Sequence, residues 1–140
     1  MLTVEQVDAT VLAGAKFIVS PGFDVEIVDY CIKNEIPVFP GCISPSEVAQ
    51  AVKRGLKVVK FFPAGGISMI KAMAAPYVGI KYMPTGGINA KNLEEYLSCD
   101  KIICCGGSWG VKGDLVKAGE FDKIRELTAE VRKLVDSIRR

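Results

Sequence analysis

At 140 residues, 49% of them hydrophobic and 24% charged, the chain is long and apolar enough for one domain with its own core, and disorder is excluded. A net charge of +2, with 18 basic and 16 acidic residues interspersed along the chain, argues against nucleic acid as a partner. No apolar run nears the roughly 18 residues of a membrane span, and no charged-then-apolar leader opens the chain, which predicts a cytoplasmic protein.

Taken in order, residues 2 to 14 read as a helix, with Val4, Val7, Val11 and Leu12 at helical spacing and Gly14 as a stop. Lys16 to Gly22 is a short apolar run closed by Pro21-Gly22. Asp24 then caps a helix expected to bury Val25, Val28 and Ile32. Pro37 to Cys42 is the next strand, and Ser44-Pro45-Ser46-Glu47 has the form of a capping box with proline at the first helical position. That helix runs through Val48, Ala51 and Val52 to Gly55. Lys57 to Phe62 is a strand broken by Pro63-Ala64-Gly65-Gly66, before a helix over about 68–74. Ile80 to Gly87 repeats the strand-then-break form, with Asn89 expected to cap the helix of Leu93 and Leu97. Lys101 to Ser108 is the last strand. A long C-terminal helix follows, aligning Phe121, Ile124, Leu127, Val131, Leu134, Val135 and Ile138 on one face.

Five unalternating apolar runs, each followed by a helix, predict an α/β fold of βα units around a parallel sheet. Every run ends in Pro, Gly, Ser or Thr, so small residues and free N–H groups gather at the end of the sheet where such folds place ligands. A complete (β/α)8 barrel has eight units and about 200–250 residues. The expectation here is a single partial barrel domain over 1–140. An open, doubly wound sheet is the alternative.

The chemistry centres on Lys60. Lys16, Lys57, Lys81 and Lys101 stand at strand starts, where a long side chain reaches water. Lys60 alone is embedded, between Val58-Val59 and Phe61-Phe62. With strand period two, Val58, Lys60 and Phe62 share one face. An inward, desolvated amine is a nucleophile for a carbonyl carbon; the alternative is a lysine snorkelling to water or paired with a carboxylate. Thr85-Gly86-Gly87 and Gly106-Gly107-Ser108 end the last two strands, where glycine lets a phosphate reach backbone N–H groups and Ser108 can donate to it. Trp109 reads as packing at the core or its rim. The absence of histidine excludes a His-ligated metal and a Ser-His-Asp triad. Five cysteines without a C-x-x-C pair read as small hydrophobes.

The order and spacing of Ser20-Pro21-Gly22, Pro40-Gly41, Lys60-Phe61-Phe62-Pro63-Ala64, Pro84-Thr85-Gly86-Gly87 and Gly106-Gly107-Ser108-Trp109 resemble the 2-keto-3-deoxy-6-phosphogluconate/4-hydroxy-2-oxoglutarate (KDPG/KHG) aldolases, the class I aldolases of the Entner–Doudoroff route. The resemblance implies a lyase on a TIM barrel, as a homotrimer, with this chain supplying strands four to eight and the C-terminal helix. Lys60 would form a Schiff base with pyruvate or the 2-keto acid. Pro21 and Phe62 would line the pyruvate pocket, Thr85 would contact substrate, and Gly86, Gly87, Gly107 and Ser108 would hold the phosphate. No cofactor or metal is implied. The first three strands of the family supply a general-base glutamate and a carboxylate-binding arginine, for which this chain shows no counterpart. The loop after Ala64 is about three residues shorter than usual, and Gly110 stands where a larger apolar residue is common. Weak or no turnover is therefore expected of the isolated chain. The competing readings are a phosphate-binding barrel enzyme without a Schiff base, and a non-catalytic barrel fragment that assembles with partners through open sheet edges.

Overall fold

The strands of this protein are short because proline and glycine stop them, as its computed structural model, describing residues 1–139, makes visible. The chain runs α1 (Val4–Leu12), β1 (Ile18–Val19), α2 (Val25–Lys33), β2 (Val38–Phe39), β3 (Gly41–Cys42), α3 (Pro45–Lys53), β4 (Val58–Phe61), α4 (Ile67–Ala74), β5 (Lys81–Pro84), α5 (Leu93–Leu97), α6 (Gly113–Lys117) and α7 (Phe121–Ile138). Pro40, lacking an N–H, splits the second predicted apolar segment, Pro37 to Cys42, into β2 and β3. The two pieces serve different neighbours. β2 pairs with β1 through Ile18–Val38 and Val19–Phe39, while β3 pairs with β4 through Gly41–Lys60 and Cys42–Phe61. β4 pairs in turn with β5 from Val58–Lys81 to Phe61–Pro84.

All pairings are parallel, and spatial neighbours follow chain order. A doubly wound sheet reverses its strand order at a switch point, so that alternative is set aside. Successive parallel units are the arrangement of a TIM-barrel-type α/β fold.

The predicted last strand, 101–108, is reduced to two parallel bridge pairs, Tyr82–Ile102 and Thr85–Gly106. Three residue steps on β5 face four on its neighbour. The N–H groups of Ile103 and Gly106 donate to Tyr82 and Pro84 carbonyls at 3.0 and 2.9 Å, so one extra residue bulges out in between. From the far end of the chain, the Arg139 guanidinium donates to the carbonyls of Ile103 and Ile102, the latter at 2.6 Å.

Helix starts follow their caps. Thr3, Asp24 and Ser44 each accept a backbone N–H of the first turn, and the Ser44–Glu47 capping box is complete. Asn89 does not cap α5. It opens a turn over 89–92 that delivers Asn92 to the cap position, since its own side chain is taken by the Lys91 N–H.

Burial corrects four predicted faces. α2 buries Ile27, Val28 and Cys31, leaving Val25 and Ile32 exposed. Leu12 of α1 and Val52 of α3 are exposed, although their helices bury Val7, and Val48 with Ala51. α7 covers the larger core cluster with Val131, Leu134, Val135 and Ile138, none of them fully buried, and Phe121 points to water. No helix of the described residues is long and apolar enough to cross a membrane.

Candidate active site

On β4 the pleat sorts the side chains as expected. Val59 and Phe61 are fully buried in the helix-side core, and Phe61 meets Tyr82 edge-on at 5.8 Å between ring centroids. Val58, Lys60 and Phe62 take the other face. There Lys60 is half-buried, its Nζ lying 4.6 Å from the centroid of the Phe62 ring. Among the described residues its amine has no carboxylate partner, which removes the ion-pair reading of this lysine. The comparison lysines behave as strand-start residues should. Lys16, Lys57 and Lys81 are exposed, and Lys101 pairs with Asp100 at 3.1 Å.

Lys60 opens into a cleft of about 330 Å³ lined by Phe62, Thr85, Gly86, Gly87, Ile88, Gly106, Gly107 and Ser108. Lys60, Phe62, Thr85, Gly86, Gly87, Gly107 and Ser108, all singled out in the sequence, are thus brought together by the ends of three neighbouring strand segments. Pro21 is not among them. It lines a separate cleft of about 280 Å³ with Phe23, Asp24 and Ile27. Its carbonyl presses against Gly41, where a Cβ would come within 1.9 Å of the Pro21 oxygen. Pro21 therefore borders the site through backbone contact between adjacent strand ends.

The two ends of the cleft differ in chemistry. Beside Lys60, the Thr85 hydroxyl oxygen is buried without a hydrogen-bond partner among the described residues. Gly106 makes room for it, because a Cβ there would stand 2.5 Å from the Thr85 methyl carbon. At the other end, the N–H groups of Gly86, Gly87, Gly107 and Ser108 donate to no protein acceptor among the described residues. Gly86 and Gly87 hold φ of 95° and 72°, a backbone that L side chains rarely adopt. Several free N–H donors and a serine hydroxyl on one cleft can hold an anion.

The asparagine clamp behind this end went unread in the sequence. The Asn89 and Asn92 side chains both donate to the Gly87 carbonyl, at 3.3 and 3.1 Å, and Asn92 also accepts the Asn89 N–H at 2.8 Å. With its carbonyl held from outside, the Gly87–Ile88 peptide keeps a fixed orientation. The only signal was two asparagines spaced two and five residues after the Gly-Gly pair. Taken together, the cleft can hold an electrophilic carbonyl at its lysine end and an anion at its glycine end. Among the described residues no carboxylate lines it, and no cluster of three or more His, Cys, Asp or Glu could hold a metal.

A family model described as KDPG and KHG aldolase matches residues 1–127. The 2-dehydro-3-deoxy-phosphogluconate aldolase of Treponema pallidum is 41% identical over 138 residues, which is 96% of this chain and 66% of that protein. Its namesake from Haemophilus influenzae is 42% identical over 134 residues, 94% of this chain and 63% of that protein. Among solved structures, the KDPG aldolase of Legionella pneumophila, with pyruvate captured at low pH as a covalent carbinolamine, matches with a TM-score of 0.83 at 43% identity. That match covers 88% of this chain and 61% of the other. This chain thus spans a little less than two thirds of the length of the relatives it matches.

Proposed function

Since the chain belongs to the KDPG and KHG aldolase family, we propose that it is a class I aldolase acting on a phosphorylated 2-keto acid through Lys60. The substrates are 2-keto-3-deoxy-6-phosphogluconate, cleaved to pyruvate and glyceraldehyde 3-phosphate, and 4-hydroxy-2-oxoglutarate, cleaved to pyruvate and glyoxylate. The observation that carries this reading is a lysine amine, free of any carboxylate among the described residues, sharing one cleft with a buried unpartnered threonine hydroxyl and a set of free N–H donors. The similarity to the L. pneumophila enzyme, captured with pyruvate as a covalent carbinolamine, supports covalent chemistry of a 2-keto acid.

In this mechanism the Lys60 amine adds to the C2 carbonyl, and the carbinolamine loses water to leave a protonated imine. The C4 hydroxyl gives up its proton, and the C3–C4 bonding pair moves toward the imine nitrogen. This releases the aldehyde and leaves an enamine. Protonation at C3 and hydrolysis of the imine return pyruvate and the free amine. Phe62 packs against the pyruvyl group, and Pro21, held against Gly41 at the end of β1, bounds the pyruvate side. Thr85 donates to substrate. Gly86, Gly87, Gly107 and Ser108 bind the phosphate. With no carboxylate in the described cleft, the hydroxyl proton passes to water, and carbon–carbon cleavage is the slow step. The five units occupy the positions of strands four to eight of the barrel, the assembly is a homotrimer, and the setting is the cytoplasm.

Borohydride reduction in the presence of pyruvate, followed by peptide mass mapping, tests the covalent step. The Lys60 peptide should gain the reduced adduct, and Lys60→Arg should lose it. A wild-type chain that traps nothing under conditions labelling a full-length relative overturns the reading in favour of a phosphate-binding barrel without a Schiff base. Light scattering of the same sample separates a trimer from open-edge association.

A further inference from the structure

Gly107 is pinned from outside the cleft by an aromatic ring. A Cβ built on Gly107 would lie 1.7 Å from Cζ3 and 2.2 Å from Cε3 of Trp109. The indole therefore rests directly on the Gly107 α-carbon. Its other surroundings belong to the helical cover. It lines one hollow with Thr128 and Val131 of α7, and another with Leu115 of α6 and Leu127 of α7. It also packs against the larger core cluster.

We propose that Trp109 is a positioning residue for the anion end of the cleft. Wedged between α7 and Gly107, the ring fixes the directions of the Gly107 and Ser108 N–H groups. This role rests on the phosphate reading above and extends it to a residue outside the cleft, since Trp109 does not line the Lys60 cleft. Gly107 has no carbonyl clamp of the kind that Asn89 and Asn92 give Gly87. Among the described residues, the atoms nearest a Cβ built on Gly107 all belong to the indole. Two glycine ends of one receptor are thus held by different devices, one polar and one aromatic.

The sequence contains a single tryptophan, so the proposed wedge reports on itself. Titration of the full chain with inorganic phosphate should change Trp109 emission saturably, and Gly107→Ala should shift the resting emission and abolish the response. Half-trapping concentrations on Lys60 for pyruvate and for 2-keto-3-deoxy-6-phosphogluconate supply the second arm. Trp109→Ala should weaken the phosphorylated acid about tenfold relative to pyruvate, the scale of a misdirected polar contact. Trp109→Phe, which keeps an aromatic wedge, should recover most of that preference. A wild-type emission unmoved by phosphate, or a Trp109→Ala effect equal on both acids, overturns the proposal. Failure of wild-type trapping with both acids sinks the Schiff-base reading instead, and leaves the emission arm to decide on Trp109.

Discussion

Thr85 buries a hydroxyl that has no partner among the described residues, at some cost to the fold. A buried hydroxyl with no partner carries a desolvation penalty that a hydrophobic isostere would escape. Thr85→Val should therefore stabilise the unliganded protein by about 1 kcal/mol in a denaturant titration. The same variant should raise the half-trapping concentration for pyruvate several-fold. A variant that loses stability, or that traps pyruvate unchanged, would show that the hydroxyl serves the fold and not the ligand. Phe62 shows a related compromise, being 41% exposed in the cleft although its neighbour Phe61 is fully buried.

The elements were legible where their signals are local. Ser44, Pro45 and Glu47 announce α3 by themselves, because a capping box is complete within four residues. Lys60 could be singled out because a strand of period two states its own facing. What stayed hidden depends on partners. The bulge across from β5 has no marker in Ile103-Cys104-Cys105, since an extra residue is extra only relative to the strand beside it. Whether Val25 and Ile32 or Ile27 and Cys31 faced the core was undecidable from spacing, since both sets recur at helical intervals and the sheet chooses between them. α6 spans five residues, too few to show a period. The ion pair that joins α2 to α3 was equally invisible. Arg54 Nε meets Asp29 at 2.6 Å, its Nη1 meets the Gln50 side chain at 2.6 Å, and the guanidinium stacks 5.7 Å from the Phe23 ring centroid. Because the planar fork makes all three contacts, Arg54→Lys should lower the urea midpoint almost as far as Arg54→Ala. The gap between wild type and either variant should narrow in high salt. Full recovery by lysine would contradict a role for the fork.

Across the whole molecule, burial tunes the response to alkali. Desolvation pushes the Cys42 thiol up to about 12 and the Cys105 thiol up to about 11, from an ordinary 9.0. It likewise raises the Tyr82 hydroxyl from 10.0 to about 12. The folded chain holds these protons over a range in which the unfolded chain releases them, so their contribution is complete below pH 9 and is lost as pH rises toward 12. Unfolding free energy should fall across that window by up to roughly 1 kcal/mol per pH unit for each group. Cys42→Ala should flatten the slope, and a wild-type stability that is level from pH 9 to 11 would contradict the burial account. Another consequence follows from Arg139. Its guanidinium occupies the Ile102 and Ile103 carbonyls of the segment beside β5, and those oxygens are a template on which a foreign strand would dock. A charged plug at that margin discourages fibrillar stacking there, and the Met1 amine, donating to the Val19 carbonyl at 3.2 Å, does the same at β1, so a cation guards each margin of the molecule.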